Sequence, residues 1–245
     1  MKIRFLFLLL TITVFQAQAQ NKYKHLYPGY YGNGSSPNPV GFRIGINAGI
    51  ARTDISRDLL VNPDVEDSYN DVYQPVVGLL AQYAFTSKFM ISSGLNFKPM
   101  AVDYNTTSDI ESTVTNYKKN YIEVPVLFNV TFRKGSYQAY PALYAGGSVS
   151  YLVNANMDYE SITPDTNAEP YNEDNKDITD SYNSIDFGPV IGVSYYIPIQ
   201  TSVQLMMDLK GYMGVPNINN LPDGYERPYT INTGVALSIA LIWGR

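Results

Sequence analysis

The stretch GFRIGINAGIA, residues 41–51, alternates strictly. Phe42, Ile44, Ile46, Ala48 and Ile50 are apolar, and Gly41, Arg43, Gly45, Asn47 and Gly49 stand between them. Period-two alternation is the mark of a β-strand with two unlike faces. Which face is wet decides the fold. In a water-soluble β-protein the apolar face is the core. In a membrane barrel the apolar face meets lipid and the other face lines a lumen.

Seven further stretches repeat the pattern. In 75–85, Val77, Leu79, Ala81, Tyr83 and Phe85 share a face. In 89–100, Phe89, Ile91, Leu95 and Phe97 oppose Ser92, Gly94, Asn96 and Lys98. YIEVPVLFNVTF sets Ile122, Val124, Val126, Phe128, Val130 and Phe132 against Tyr121, Glu123, Asn129 and Thr131. The same rule holds over 139–153, 185–197, 203–214 and 229–243. No residue on any of the eight apolar faces is charged. The opposite faces are rich in Gly, Ala, Ser and Asn rather than in the Lys, Glu and Thr of a solvated sheet. Small residues suit a narrow lumen, and a charge facing mid-bilayer lipid would cost roughly 2–4 kcal/mol.

The connections agree. Thr86, Ser87 and Lys88 alone link the second and third stretches, and RKGSYQ and PIQTS make two more short turns. The other connections, about 52–74, 101–120, 154–184 and 215–228, are long. Alternating short turns and long loops match an outer-membrane barrel, with the short turns in the periplasm. Each stretch is about the 9–11 residues that cross a bilayer when tilted. The expected fold is all-β: an eight-stranded antiparallel transmembrane up-and-down β-barrel with four long outer loops, over residues 41–245, with both chain ends periplasmic.

The remaining sequence fits export. Residues 1–19 read as a signal peptide: Lys2 and Arg4, an apolar run from Phe5 to Phe15, then Ala17-Gln18-Ala19. Residues 20–40 form a Tyr/Pro/Gly-rich segment that reads as a periplasmic loop or linker. The chain has no Cys, which excludes disulfides, thiolate metal sites and a lipidated Cys anchor. Its net charge of −5 becomes −7 without Lys2 and Arg4. An acidic chain repels phosphate backbones, so nucleic acid is not an expected partner. Its 22 Tyr residues suit a membrane–water interface or binding loops.

On GFRIGINAGI, YIEVPVLFNVTF, YAGGSVSYLVNA and IDFGPVIGVSYYI, the chain resembles the PorT-like outer-membrane β-barrel proteins of Bacteroidota. The resemblance runs from Gly41 to the end. It implies an outer-membrane location, and one member type is implicated in type IX secretion. The chain ends Trp243-Gly244-Arg245 rather than on the terminal aromatic common among outer-membrane strands.

An eight-stranded interior is just wide enough for side chains to fill, so a filled lumen is expected rather than a diffusion pore. Its charges are Arg43, Lys98, Glu123, Asp186, Asp208 and Lys210, three of each sign. Buried charges need partners. Lys98 and Glu123 are expected to pair near the outer end of adjacent strands. Asp186 and Lys210 sit on adjacent strands, and Asp208 is placed to reach Arg43. A catalytic site is not expected: the sole His is His25, ahead of the barrel, and Ser148, Ser150 and Ser194 have no imidazole in reach.

The acidic, Tyr-bearing loops 62–71 and 164–177 are the other candidate surface, through Asp64, Asp67, Tyr69, Tyr73, Tyr171 and Asp174. Neither loop has the spacing of an EF-hand, and no metal or cofactor is expected. Expected partners are outer-membrane lipid and lipopolysaccharide, with other envelope proteins as further candidates. Three roles compete: a surface scaffold or binding barrel, an accessory of an export machine, and, least favoured, an embedded hydrolase.

Overall fold

The computed structural model describes residues 40–57, 66–70, 72–107, 112–133, 138–162, 171–200, 202–215, 218 and 230–244. Residues 1–19, expected to be a signal peptide, residues 20–39 of the Tyr/Pro/Gly-rich segment with His25, and Asp64 lie outside these residues.

The described residues form ten strands: β1 (Gly41–Arg57), β2 (Glu66–Asn70), β3 (Val72–Ala84), β4 (Phe89–Thr107), β5 (Ser112–Thr131), β6 (Tyr140–Ile162), β7 (Tyr171–Asp177), β8 (Ile185–Gln200), β9 (Val203–Met213) and β10 (Thr230–Gly244). Eight of them close a ring in the order β1-β3-β4-β5-β6-β8-β9-β10, and β10 returns to β1 with every pair antiparallel. Closure pairs the backbone polar groups within the wall, as a hydrocarbon surrounding demands.

The register fixes the shape. The cross-strand neighbours of Arg52 run Val235, Gly211, Ile191, Ala145, Phe128, Ile91 and Tyr83, and return to β1 at Phe42. That return lies ten residues from the start, so the shear is ten for eight strands. With usual strand spacings this tilts the strands by about 40°. Phe42 and Arg52 are then about 25 Å apart along the barrel axis, the height of an outer-membrane apolar band.

The wet-face question has a clear answer. Ile44, Leu79, Phe128 and Ile191 are 55%, 59%, 65% and 65% exposed, while Lys98 and Glu123 are 2% and 0% exposed. The apolar face is outside and the polar face is the core, the inverse of a water-soluble protein. Aromatic residues collect at both edges of the outer band. Phe42, Phe85, Phe89, Phe132 and Trp243 ring the short-turn end, and Tyr73, Tyr151 and Phe187 ring the other. Such girdles suit the bilayer interfaces.

The long connections differ from expectation. β4 and β5 stay paired to Thr107 and Ser112, so only four residues join them. A strand continues as long as a neighbour supplies hydrogen bonds, and the polar sequence of 101–120 hides this. β2 pairs with the far part of β4, and β7 with the far part of β6. A five-stranded sheet, β2-β4-β5-β6-β7, therefore rises beyond the apolar band at the hairpin end.

Leu79 and Val126 face outward near mid-band. Leu79→Arg or Val126→Arg should each cost about 2–4 kcal/mol in the bilayer. Both variants should lose the compact, heat-modifiable band of folded protein on gels of outer-membrane fractions. Asn47→Ser, on the inner face, should keep it. Equal folded yield from all three would refute the assignment of faces.

Candidate functional site

The inner face carries polar contacts at three heights, because each strand sends every second side chain inward. At the short-turn end, Gln82 of β3 donates across the lumen to the Tyr196 hydroxyl of β8 at 2.9 Å. Tyr196 stacks on Tyr140 with centroids 5.0 Å apart. Tyr140 and Arg43 both donate to Gln204 Oε1, at 3.3 and 3.4 Å.

The middle level holds the densest charge. Glu123 of β5 is 0% exposed and accepts from two lysines: Lys98 Nζ to Oε1 at 3.2 Å and Lys210 Nζ to Oε2 at 2.7 Å. Lys98 comes from the neighbouring strand, whereas Lys210 reaches over from β9 on the far side. Asn96 adds a donor to Oε2 at 3.1 Å, and Asn47 donates to Asn96 at 3.2 Å. Lys98 also lies 3.9 Å above the Tyr212 ring, a cation–π contact. One carboxylate thus neutralises two ammonium groups only in part, and hydrogen bonds and a ring face supply the rest.

Near the hairpin end, the Asn232 side chain links three groups. It accepts from Lys119 Nζ at 3.0 Å and donates to Asp186 Oδ2 at 2.8 Å and to the Tyr121 hydroxyl at 3.3 Å. Lys119 also faces the Tyr182 ring at 4.8 Å. Tyr182 and Ile218, from outside the strands, are buried over this layer with Met100, Leu152 and Ala155. Asn183 N–H donates to the Ile218 carbonyl at 2.7 Å and ties the two segments together.

Two inward glycines make room for this filling. A Cβ at Gly192 would lie 2.2 Å from the Tyr144 hydroxyl oxygen, and one at Gly234 would lie 2.3 Å from that of Tyr212. The hydroxyl end of each ring comes against the backbone at those points. Between the lower and middle levels about 50 Å³ remains, lined in part by Asn47, Gln82, Ser194, Asp208 and Lys210. Space of that size with polar walls holds a few water molecules rather than a permeating solute.

All six expected lumen charges point inward, but their pairing differs from expectation. Lys98 and Glu123 do meet, at mid-length of β4 and β5 rather than near the strand ends, since both strands run on. Asp186 and Lys210 do not pair. Their strands are neighbours, but Lys210 stands opposite Gly192, six residues from Asp186. Asp208 does not turn to Arg43; it accepts from Ser194 Oγ at 2.6 Å and the Tyr144 hydroxyl at 3.1 Å.

Lys119 was missed. It is 1% exposed and faces the lumen, on the same parity as Tyr121 and Glu123. Counting back by twos from Glu123 would have found it. With Lys119 the described lumen holds four cations and three carboxylates.

Of the expected loop surface, Asp67 and Tyr69 fall on β2, Tyr73 opens β3, and Tyr171 and Asp174 lie on β7. Tyr73 and Tyr171 are exposed, and Tyr171 meets Tyr159 edge to face at 6.1 Å. Above the band the sheet carries a polar ladder. Asn116 donates to Asp103, Lys118 bridges Asp158 at 2.6 Å, Asn120 donates to Asn154 at 2.9 Å, and Asn156 to Asn175 at 2.6 Å. The Lys118 ammonium and the Asn175 N–H hold the Asp158 carboxyl below its ordinary pKa.

The family described as outer membrane protein beta-barrel domain matches residues 16–220, and the chain belongs to it. It is an integral outer-membrane β-barrel. No curated protein matches it by sequence. Among solved structures it is similar to the outer membrane protein OprG of Pseudomonas aeruginosa, at 9% identity and TM-score 0.45, over 84% of this chain and 98% of that one. Neisserial surface protein A is similar at 13% identity and TM-score 0.40, over 82% and 96%. Ail, the attachment invasion locus protein of Yersinia pestis, is similar at 8% identity and TM-score 0.33, over 82% and 98%.

Removing the shared carboxylate should leave two buried lysines uncompensated. Glu123→Gln should therefore cost about 3–5 kcal/mol, read as a lower urea midpoint of the folded barrel in lipid. Adding Lys210→Met should recover part of that loss. Asp208→Asn, where the donors are neutral hydroxyls, should cost only about 1 kcal/mol.

Proposed function

We propose that this member of the outer-membrane barrel family is a non-enzymatic surface protein whose hairpin end faces outward and acts as a scaffold or binding surface. The observation that carries this reading is the five-stranded sheet that continues past the apolar band with a hydrogen-bonded polar face. Strand beyond the membrane serves no barrel closure; it displays side chains at a defined height above the lipid. Tyr171, Tyr73 and Asp174 are displayed on or below that sheet, and aromatic and polar groups on a rigid sheet suit contact with a glycan or a protein.

The lumen supports the same reading. Cross-lumen bonds from Gln82, Lys210 and Lys119 tie opposite walls, which suits a rigid support rather than a channel. Residues 1–19 act as the export signal in this proposal, and both ends of the barrel domain lie in the periplasm. Partners are the surrounding lipid and lipopolysaccharide, together with a ligand or envelope protein at the sheet.

A chain without Cys allows clean single-cysteine labelling. Asp174→Cys on intact cells should react with a membrane-impermeant maleimide, and Ser87→Cys should react only after the membrane is broken. The reverse pattern would overturn the orientation. Native particles extracted in mild detergent should then be compared with a variant lacking residues 104–115. Loss of co-purifying partners with a folded barrel retained would place binding at the sheet. Partners that stay bound would move the role to the outer wall or the periplasmic end, as an export accessory would require.

A further inference from the structure

The lipid-facing wall of β9 carries a gap in its row of side chains. Outward positions along β9 read Leu205, Met207, Leu209, Gly211 and Met213, so a glycine stands where its neighbours carry long side chains. A Cβ built at Gly211 would meet nothing closer than Ile191, at 3.9 Å. Gly211 lies on the floor of an open groove of about 550 Å³ walled by Ile191, Pro189, Met213 and Val235. Arg52 lines the same groove.

Register places the two features relative to the bilayer. Arg52, Val235, Gly211 and Ile191 are successive cross-strand neighbours and face outward together. The row descends toward the short-turn end by about 3 Å per strand at this tilt, which puts Gly211 about 6 Å below Arg52. Arg52 stands beside Tyr73, its partner across β1 and β3, in the aromatic girdle of the hairpin end. An apolar slot thus lies just inside the hydrocarbon, with a guanidinium at headgroup height above it.

We infer that this groove is a binding site for one acyl chain of a phosphorylated, multiply acylated glycolipid, with Arg52 holding a phosphate of its headgroup. The inference rests on the orientation proposed above, because the hairpin end then faces the leaflet built from such glycolipids. Charge complementarity selects the occupant. A zwitterionic lipid gains little from the cation, whereas an anionic headgroup gains about 1 kcal/mol per basic residue at the surface. The planar guanidinium also pairs two oxygens of a phosphate at once. An acyl chain in a fixed slot beneath a fixed charge is held at two points, which separates a bound lipid from an annular one.

The test uses the full chain, folded in mild detergent, with lipid A, phosphatidylglycerol or phosphatidylcholine offered at equal concentration and retained lipid counted by native mass spectrometry. Wild type should retain one lipid A per barrel in preference to either phospholipid. Gly211→Leu puts a side chain into the groove, its Cβ no closer than 3.9 Å to a neighbour, and should lower that retention about tenfold. Arg52→Gln should lower it about fivefold. Ala48→Leu, outward on β1 away from the groove, should leave it unchanged. Equal retention of phosphatidylglycerol would overturn the glycolipid assignment, and retention unaffected by Gly211→Leu would overturn the site. If cysteine labelling reverses the orientation, the surface reading falls as well; if the orientation stands and the groove variants are silent, only this inference falls.

Discussion

Every backbone N–H and C=O that faces hydrocarbon must find a partner inside the protein. A sheet meets that demand only by closing on itself. Here closure is the pairing of β1 with β10, from Arg43 with Gly244 to Arg57 with Thr230. Once the first and last strands are joined, the remaining geometry has little freedom. Eight strands with a shear of ten set the tilt, the tilt sets the height of the apolar band, and the ring sets the width of the lumen.

The width of the lumen then dictates the residues that face it. Inner positions have too little room for a continuous layer of large side chains. Two of the large rings fit because the neighbouring strand carries glycine beside them, Tyr144 over Gly192 and Tyr212 over Gly234. Long side chains that cross the ring do the rest. Lys210 and Lys119 spend their apolar stems on the lumen's interior and place their ammonium groups against acceptors on the opposite wall. The outer face is under the opposite rule. It needs no packing partner except lipid, so Ile, Val, Leu and Phe stand exposed there at no cost.

Parity was the legible part of this protein. A one-residue slip would carry every side chain to the other face, so period two alone separates lipid-facing Ile44 from lumen-facing Arg43. Pairing across the lumen was not legible, because it depends on shear, and shear is a property of the closed ring. Adjacent strands brought Lys98 to Glu123, but no local pattern says that Lys210 arrives at the same carboxylate from the far wall. Height misled in the same way: Asp186 and Lys210 belong to neighbouring strands yet stand at different levels. Lys119 was hidden by a boundary drawn where the sequence turned polar, although β5 keeps its register through that point and the extra residue, Val153, belongs to β6.

The lumen's charges follow from closure as well. A carboxylate enclosed by eight strands cannot be reached by bulk water, so its partners must be built in, and the two lysines of Glu123 are supplied from strands on either side of the ring. A salt bridge between neighbours would brace one edge of the sheet. Bridges that span the ring, as this one and the Lys119–Asn232 bond do, fix the distance between opposite walls. A wall held at constant distance keeps its outer surface constant too. The groove at Gly211 and the sheet beyond the membrane are features of that surface. The polar core, which touches no lipid, is therefore what gives both of them a defined shape.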